Sequence, residues 1–241
     1  MATKISVLGT SDLRGEEGQR VQSVLQQPRR FALLVYLAVV GRQGPVKRDT
    51  VLGVFWPEKS QDKARGALNS ALHVLRRSLG ADAVQTLGDT LQVNAAKIQC
   101  DAVEFLAAAR EERWEDAVRL YAGELMPGYF DSGQSPAFEQ WLERMRTTIR
   151  RQASEAAWHM AEAEDAAGRA AAAAAWARRA RDWSEGDEVE VRRLMVFMDR
   201  LGDRTGVVEA YEALVEELKP LEAEPSPDTA ALLERLQAEW K

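Results

Sequence analysis

A chain of 241 residues has room for two ordinary domains, at roughly 100–200 residues each. Its apolar share of 46% excludes a disordered chain, and its one cysteine excludes an intramolecular disulfide. The net charge of −6 argues against nucleic acid as a whole, but residues 1–100 carry 14 lysines and arginines against 8 acids, net +6, and residues 101–241 carry 18 against 30, net −12. A basic half suits phosphates and an acidic half suits protein contacts, which predicts two domains with different partners.

The first residues hold no apolar core or cleavage site of a signal peptide. The longest apolar run, 31–40, is too short to span a bilayer, so no membrane partner and a cytoplasmic location are expected. Ile5, Val7 and Leu8 read as a short strand, 9–18 as a turn-rich stretch, and 21–25 as a second extended run. Pro28 is placed for the first turn of a helix over 29–40 that is apolar on all sides, hence a core helix. Residues 46–56 predict a short helix with Asp49 in its first turn and Val51, Leu52, Phe55 and Trp56 as its buried side, stopped by Pro57.

Residues 61–79 predict the helix around which the basic half is arranged. Ser60 stands at its N-cap, Asp62 in its first turn, Arg76 and Arg77 in its last, and Gly80 just beyond. At about 100° per residue, Ala64, Ala67, Leu68, Ala71, Leu72, Leu75 and Leu79 gather on one side. The opposite side carries Asp62, Gly66, Asn69, Ser70, His73 and Arg77, with Lys63, Arg65 and Arg76 on the shoulders. This slim polar face can enter a DNA major groove, or be a solvated surface that touches nothing. On chemistry, Asn69 and Arg77 are the base readers, and Lys63, Arg65 and Arg76 suit phosphates. Ser70 and His73 complete the face, although an exposed histidine is more often idle. Lys47 and Arg48 can meet the phosphate backbone from the start of the preceding helix, or only solvate it. Two β-favouring runs, 84–87 and 90–93, flank Gly88-Asp89 and predict a hairpin. Sheet, three helices and hairpin make a winged helix-turn-helix over 1–98.

Residues 99–241 predict an all-α domain: helices over 101–110, 114–123, 136–167, 170–182, 189–201, 204–218 and 227–240, with a loop at 127–135 and Asp101 capping the first helix. Gly168 and Gly202 stand 34 residues apart, each between two helical runs. That is the tetratricopeptide period, with an unrelated helical bundle as the alternative. Trp56, Trp114, Trp141, Trp158, Tyr121 and Tyr129 are assigned to the core. Cys100 is a bystander at the domain junction. No nucleophile–base pair, carboxylate pair, phosphate loop or metal cluster stands out, so neither catalysis nor a cofactor is expected.

RDTVLGVFWP (48–57), ARGALNSALHVLRRSLG (64–80), RLYAGELMPGYF (119–130), FEQWLERMR (138–146) and EPSPDTAALLERL (224–236) follow in an order that resembles regulators with a bacterial transcriptional activator domain, of the Streptomyces antibiotic regulatory protein type. The resemblance covers essentially the whole chain. It implies an OmpR-like winged helix followed by a tetratricopeptide-like domain, in a short form without appended modules. It also implies a transcriptional activator that binds direct repeats in promoter DNA as a homodimer, formed in solution or only on DNA, and that recruits RNA polymerase through its sigma factor and core subunits. The wing departs from the family's basic, aromatic tip: it reads Gly88-Asp89-Thr90-Leu91-Gln92. That acid favours the alternative, a protein-interaction adaptor with weak or lost DNA binding.

Overall fold

The computed structural model describes residues 2–129, 135–184 and 186–240, so Phe130 of the third motif, part of the expected 127–135 loop and Glu185 lie outside it. The chain divides into two compact units, Met1–Ile149 and Arg150–Lys241. The boundary expected at 98/99 falls inside the first.

The first unit holds two three-stranded sheets. In one, β1 (Thr3–Ser6) runs antiparallel to β2 (Asp12–Arg14) and parallel to β6 (Ile98–Cys100). The other has the order β3-β5-β4, from β3 (Val46–Lys47), β4 (Val84–Leu87) and β5 (Thr90–Val93). Two expectations are corrected here. Residues 21–25 are not extended: Gln22–Leu25 form one helical turn, α1. Val21 and Val24 are three apart, so a turn of helix, and not a strand, buries both. The second strand instead lies in the turn-rich stretch, where Leu13 points into the core between outward Asp12 and Arg14.

Helix α2 (Pro28–Gly41) starts on its proline and buries nine consecutive residues from Phe31 to Val39, as a helix apolar on all sides must. Helix α3 (Arg48–Phe55) buries Val51, Leu52 and Phe55, and Trp56 is also buried. Tyr36, Phe55, Phe138 and Trp141 form an aromatic cluster with ring centroids 4.9–6.5 Å apart, which joins α2 and α3 to the start of α7 (Pro136–Ala166). Trp158 and Tyr121 are buried, whereas Trp114, Trp141 and Tyr129 are half-buried.

Helix α5 (Asp101–Arg110) shows a further difference, since Asp101 is its first residue and not its cap. The Asp101 carboxylate accepts from the backbone N–H groups of Val7 (2.9 Å), Leu8 (3.1 Å) and Ala102 (2.7 Å), fastening α5 to the end of β1. One step on, Gly9 passes the chain after α6 (Trp114–Leu120) so closely that a Cβ there would lie 2.4 Å from the Ala122 carbonyl oxygen. Only glycine fits, and its φ of 72° also favours glycine.

The second unit contains the rest of α7, then α8 (Ala170–Ser184), α9 (Glu188–Arg200), α10 (Arg204–Leu218), a 3-10 turn at Lys219–Leu221, and α11 (Pro227–Glu239). The expected 34-residue spacing is present: α7 and α9 end 34 residues apart, as α8 and α10 begin, with Gly168 and Gly202 at φ of 71° and 75°. Trp158 packs on Phe197 with centroids 5.5 Å apart and donates to the Glu190 carboxylate, while Arg193 stacks 4.3 Å from its ring. The α11 start is clamped by Glu188, whose carboxylate accepts from Ser226 N (3.0 Å), Ser226 Oγ (2.6 Å) and Thr229 Oγ1 (2.6 Å).

Replacing Asp101 with Ala leaves the Val7 and Leu8 amides without their acceptor, and should cost about 3 kcal/mol in urea unfolding, with Asp101→Asn intermediate. The hydroxyls of Ser226 and Thr229 hold the Glu188 carboxyl below its ordinary range. Its stabilisation is therefore complete above the usual glutamate pKa of about 4.3 and is lost as pH falls through the lowered folded value. Amide exchange across α11 should accelerate below about pH 4, and Glu188→Gln should remove that pH dependence.

Candidate nucleic-acid interface

Helix α4 (Gln61–Leu79) forms where expected, with Ser60 at its N-cap position and Gly80 at its end at φ 106°. The Ser60 side chain makes no capping bond. Ala64, Leu68, Ala71, Leu72, Leu75 and Leu79 are buried, in contact with α1, α2, α3 and β4, and Ala67 is half-buried at the margin. One stripe is thus committed to the core. The rotation of the helix then follows, and it turns Asp62, Lys63, Arg65, Gly66, Asn69, Ser70, His73 and Arg77 to the outside, all exposed.

The wing is the predicted hairpin, with Val84 opposite Val93 and Leu87 opposite Thr90 around a Gly88-Asp89 loop. Its inner strand also pairs with β3, Val46 opposite Leu91 and Lys47 opposite Thr90. This third strand was hidden in the sequence, because a two-residue strand has no periodicity to read. It places Lys47 beside the wing tip, exposed, and makes Arg48 the first residue of α3.

The structure divides the nine residues by what their side chains already hold. Arg76 is half-buried. Its Nε donates to the Val84 carbonyl (2.8 Å) and its Nη2 to Thr86 Oγ1 (2.7 Å), tying α4 to the wing. The Arg48 backbone N–H donates to the Asp89 carbonyl (2.9 Å), and its Nη2 donates to Asn69 Oδ1 (2.5 Å). Lys47, Lys63, Arg65, Ser70, His73 and Arg77 make no side-chain hydrogen bond or ion pair among the described residues. Four of these are lysines or arginines on or beside one bare helix face. Sequence reasoning had grouped Arg48 and Arg76 with them. Their partners are 21 and 8–10 residues away in sequence, so only the fold could separate them.

Chemically, the face offers exposed lysine and arginine side chains around a groove-width helix with an amide at its centre. Leu87 at the wing tip is 48% exposed, and Asp89 follows it. The tip is therefore apolar and acidic where a phosphate contact would need a cation. Among the described residues no group of His, Cys, Asp and Glu could hold a metal ion, and no helix is long and apolar enough to cross a membrane.

Arg76→Met keeps the stem and removes both charge-assisted bonds to β4, each contributing about 1.5 kcal/mol or more. Amides of β4 and β5 should exchange about tenfold faster or more by NMR, while those of α2 keep their protection.

Residues 90–237 match the model of the bacterial transcriptional activator domain. No curated protein matches the chain. Among solved structures, the chain is similar to Mycobacterium tuberculosis EmbR in complex with a low-affinity phosphopeptide, at a TM-score of 0.66 and 23% identity over 98% of this chain. It spans 65% of the length of that protein, and the likeness is one of fold: a winged helix followed by a helical domain. Because the family match covers well over half of its length, this chain belongs to the bacterial transcriptional activator domain family.

Proposed function

We propose that this protein binds promoter DNA through α4, in the cytoplasm, and activates transcription by presenting its second unit to RNA polymerase. The observation that carries the reading is the bare face of α4, where Lys63, Arg65 and Arg77 stand unpaired around Asn69 among the described residues. Unpaired cations at a slim helix face are what phosphates and base edges require. Asn69 and Arg77 are the base readers. Lys47, Lys63 and Arg65 hold phosphates and set the register, and Arg48 and Arg76 brace the surface from behind. Binding to direct repeats brings two copies side by side on DNA, where the site itself supplies the effective concentration for pairing. The acidic 101–241 region is repelled by DNA and is left free for the sigma factor and core subunits of the polymerase.

A second reading, an adaptor with weakened DNA binding, is favoured by the wing tip, Leu87 and Asp89. Fluorescence anisotropy across a salt series separates the two. The regulator should bind duplex from upstream of its neighbouring genes tightly and well above random DNA. Three phosphate contacts give a log–log salt slope of about −3 per protomer. Asn69→Ala with Arg77→Ala should cost on the order of thirtyfold or more in preference over random DNA. Binding no better than random at low salt would leave the adaptor reading standing.

A further inference from the structure

We propose that Arg48 is a positioning residue for Asn69, and that the pair reads guanine, not adenine, at one base position. The inference rests on α4 being the reading helix. A guanidinium carries donors only, so the bond from Arg48 Nη2 to Asn69 Oδ1, at 2.5 Å, can form only with the amide oxygen turned toward Arg48. The amide nitrogen is then turned the other way. It bonds to nothing among the described residues, and Asn69 is exposed.

Arg48 holds this orientation from a fixed base. It is the first residue of α3, its own N–H is bonded to the Asp89 carbonyl, and Lys47 just before it is paired with Thr90. The amide of the reading helix is thereby set by the wing, through one side chain. The path outward is open. One turn earlier on α4 stands Gly66, where a Cβ would meet no atom within 4 Å.

The orientation decides which base edge fits. An asparagine that reads adenine accepts from N6 with its oxygen while donating to N7 with its nitrogen. With Oδ1 directed to Arg48, only the NH2 group faces the groove. Guanine offers two acceptors there, N7 and O6. Adenine offers one acceptor and an N6 donor that would oppose the amide's own donors. Arg48 thus turns Asn69 into a donor-only reader.

The test is selection of bound sequences from a randomised duplex library by the full chain and its Arg48→Met, Asn69→Ala and doubly substituted forms. Thermal melts check that each form is folded, and Arg48→Ala replaces R48M if that form is not. The full chain should select guanine at one position. R48M should shift that position alone toward adenine, by about tenfold. N69A should flatten it, and the double variant should behave like N69A.

If R48M instead weakens all sequences alike, lowers the salt slope by about 1 and keeps the base preference, Arg48 is a phosphate contact and the inference fails while the DNA-binding reading stands. If N69A changes no position, α4 is not read through this residue and the inference falls with that assignment. If the full chain selects no motif, the DNA-binding reading itself falls, and the inference with it.

Discussion

The buried seam of α4 is the constraint on which the rest of the first unit depends. Leu68 and Leu75 are fully buried, and Leu72 and Leu79 nearly so. Each residue turns the helix by about 100°, so fixing this stripe fixes every other side chain on it. A slip of one position would drive Asn69 or Arg65 into a core of leucines and valines, at a desolvation cost the seam could not offset. The wing buries Val84 and Leu91 and packs β5 against α2, and β3, Arg76 and the Asp89–Arg48 bond tie it to α3 and α4. Surface and scaffold are therefore one cooperative piece, which is what a recognition face needs to hold its geometry against a rigid duplex.

The second unit solves a different problem with local means. Its helices α8 and α10 bury mainly small residues, Ala173, Ala174, Ala177 and Ala180 in one and Gly206, Val207, Ala210 and Leu214 in the other. Small side chains let neighbouring helices approach closely, and larger ones, such as Trp158 and Phe197, fill what remains. The two glycine stops share one hydrogen-bond pattern. Gly168 N–H donates to the Asp165 carbonyl and Arg169 to Glu164, just as Gly202 donates to Asp199 and Asp203 to Met198. Asp187 caps α9 and Asp203 caps α10 through side-chain bonds to Val189 and Gly206. The repeat is thus written mostly in its turns, since the helix faces themselves differ from one pair to the next.

Elements with a long period or a sharp stop were legible in the sequence. The α4 stripe, the Gly88-Asp89 hairpin and the helices on either side of Gly168 and Gly202 lie within a residue or two of where the pattern put them. The misread elements are short. β2 and β3 span three and two residues, and α1 spans one turn, too few for a period of 2 to be told from one of 3.6. The candidate site was legible as a face but not as a set of roles. Arg48, Arg65, Arg76 and Arg77 are alike in sequence. Whether a guanidinium is free depends on which carbonyl, hydroxyl or amide the fold carries to it. Asp101 teaches the same lesson, because its position suggested a local cap while its carboxylate reaches back across more than ninety residues to Val7 and Leu8.

Cys100 closes the sheet beside β1, paired with Ile5, and burial pushes its thiol up to about 12. Burial therefore keeps this thiol protonated at neutral pH and out of reach of reagents while the fold is closed. A thiol reagent added to the native protein therefore meets almost no target until β6 parts from β1. The chain carries a built-in chemical clock for the opening of its first unit. The same silence means that a cysteine introduced on the α4 face can take a fluorescent label without first removing the natural one.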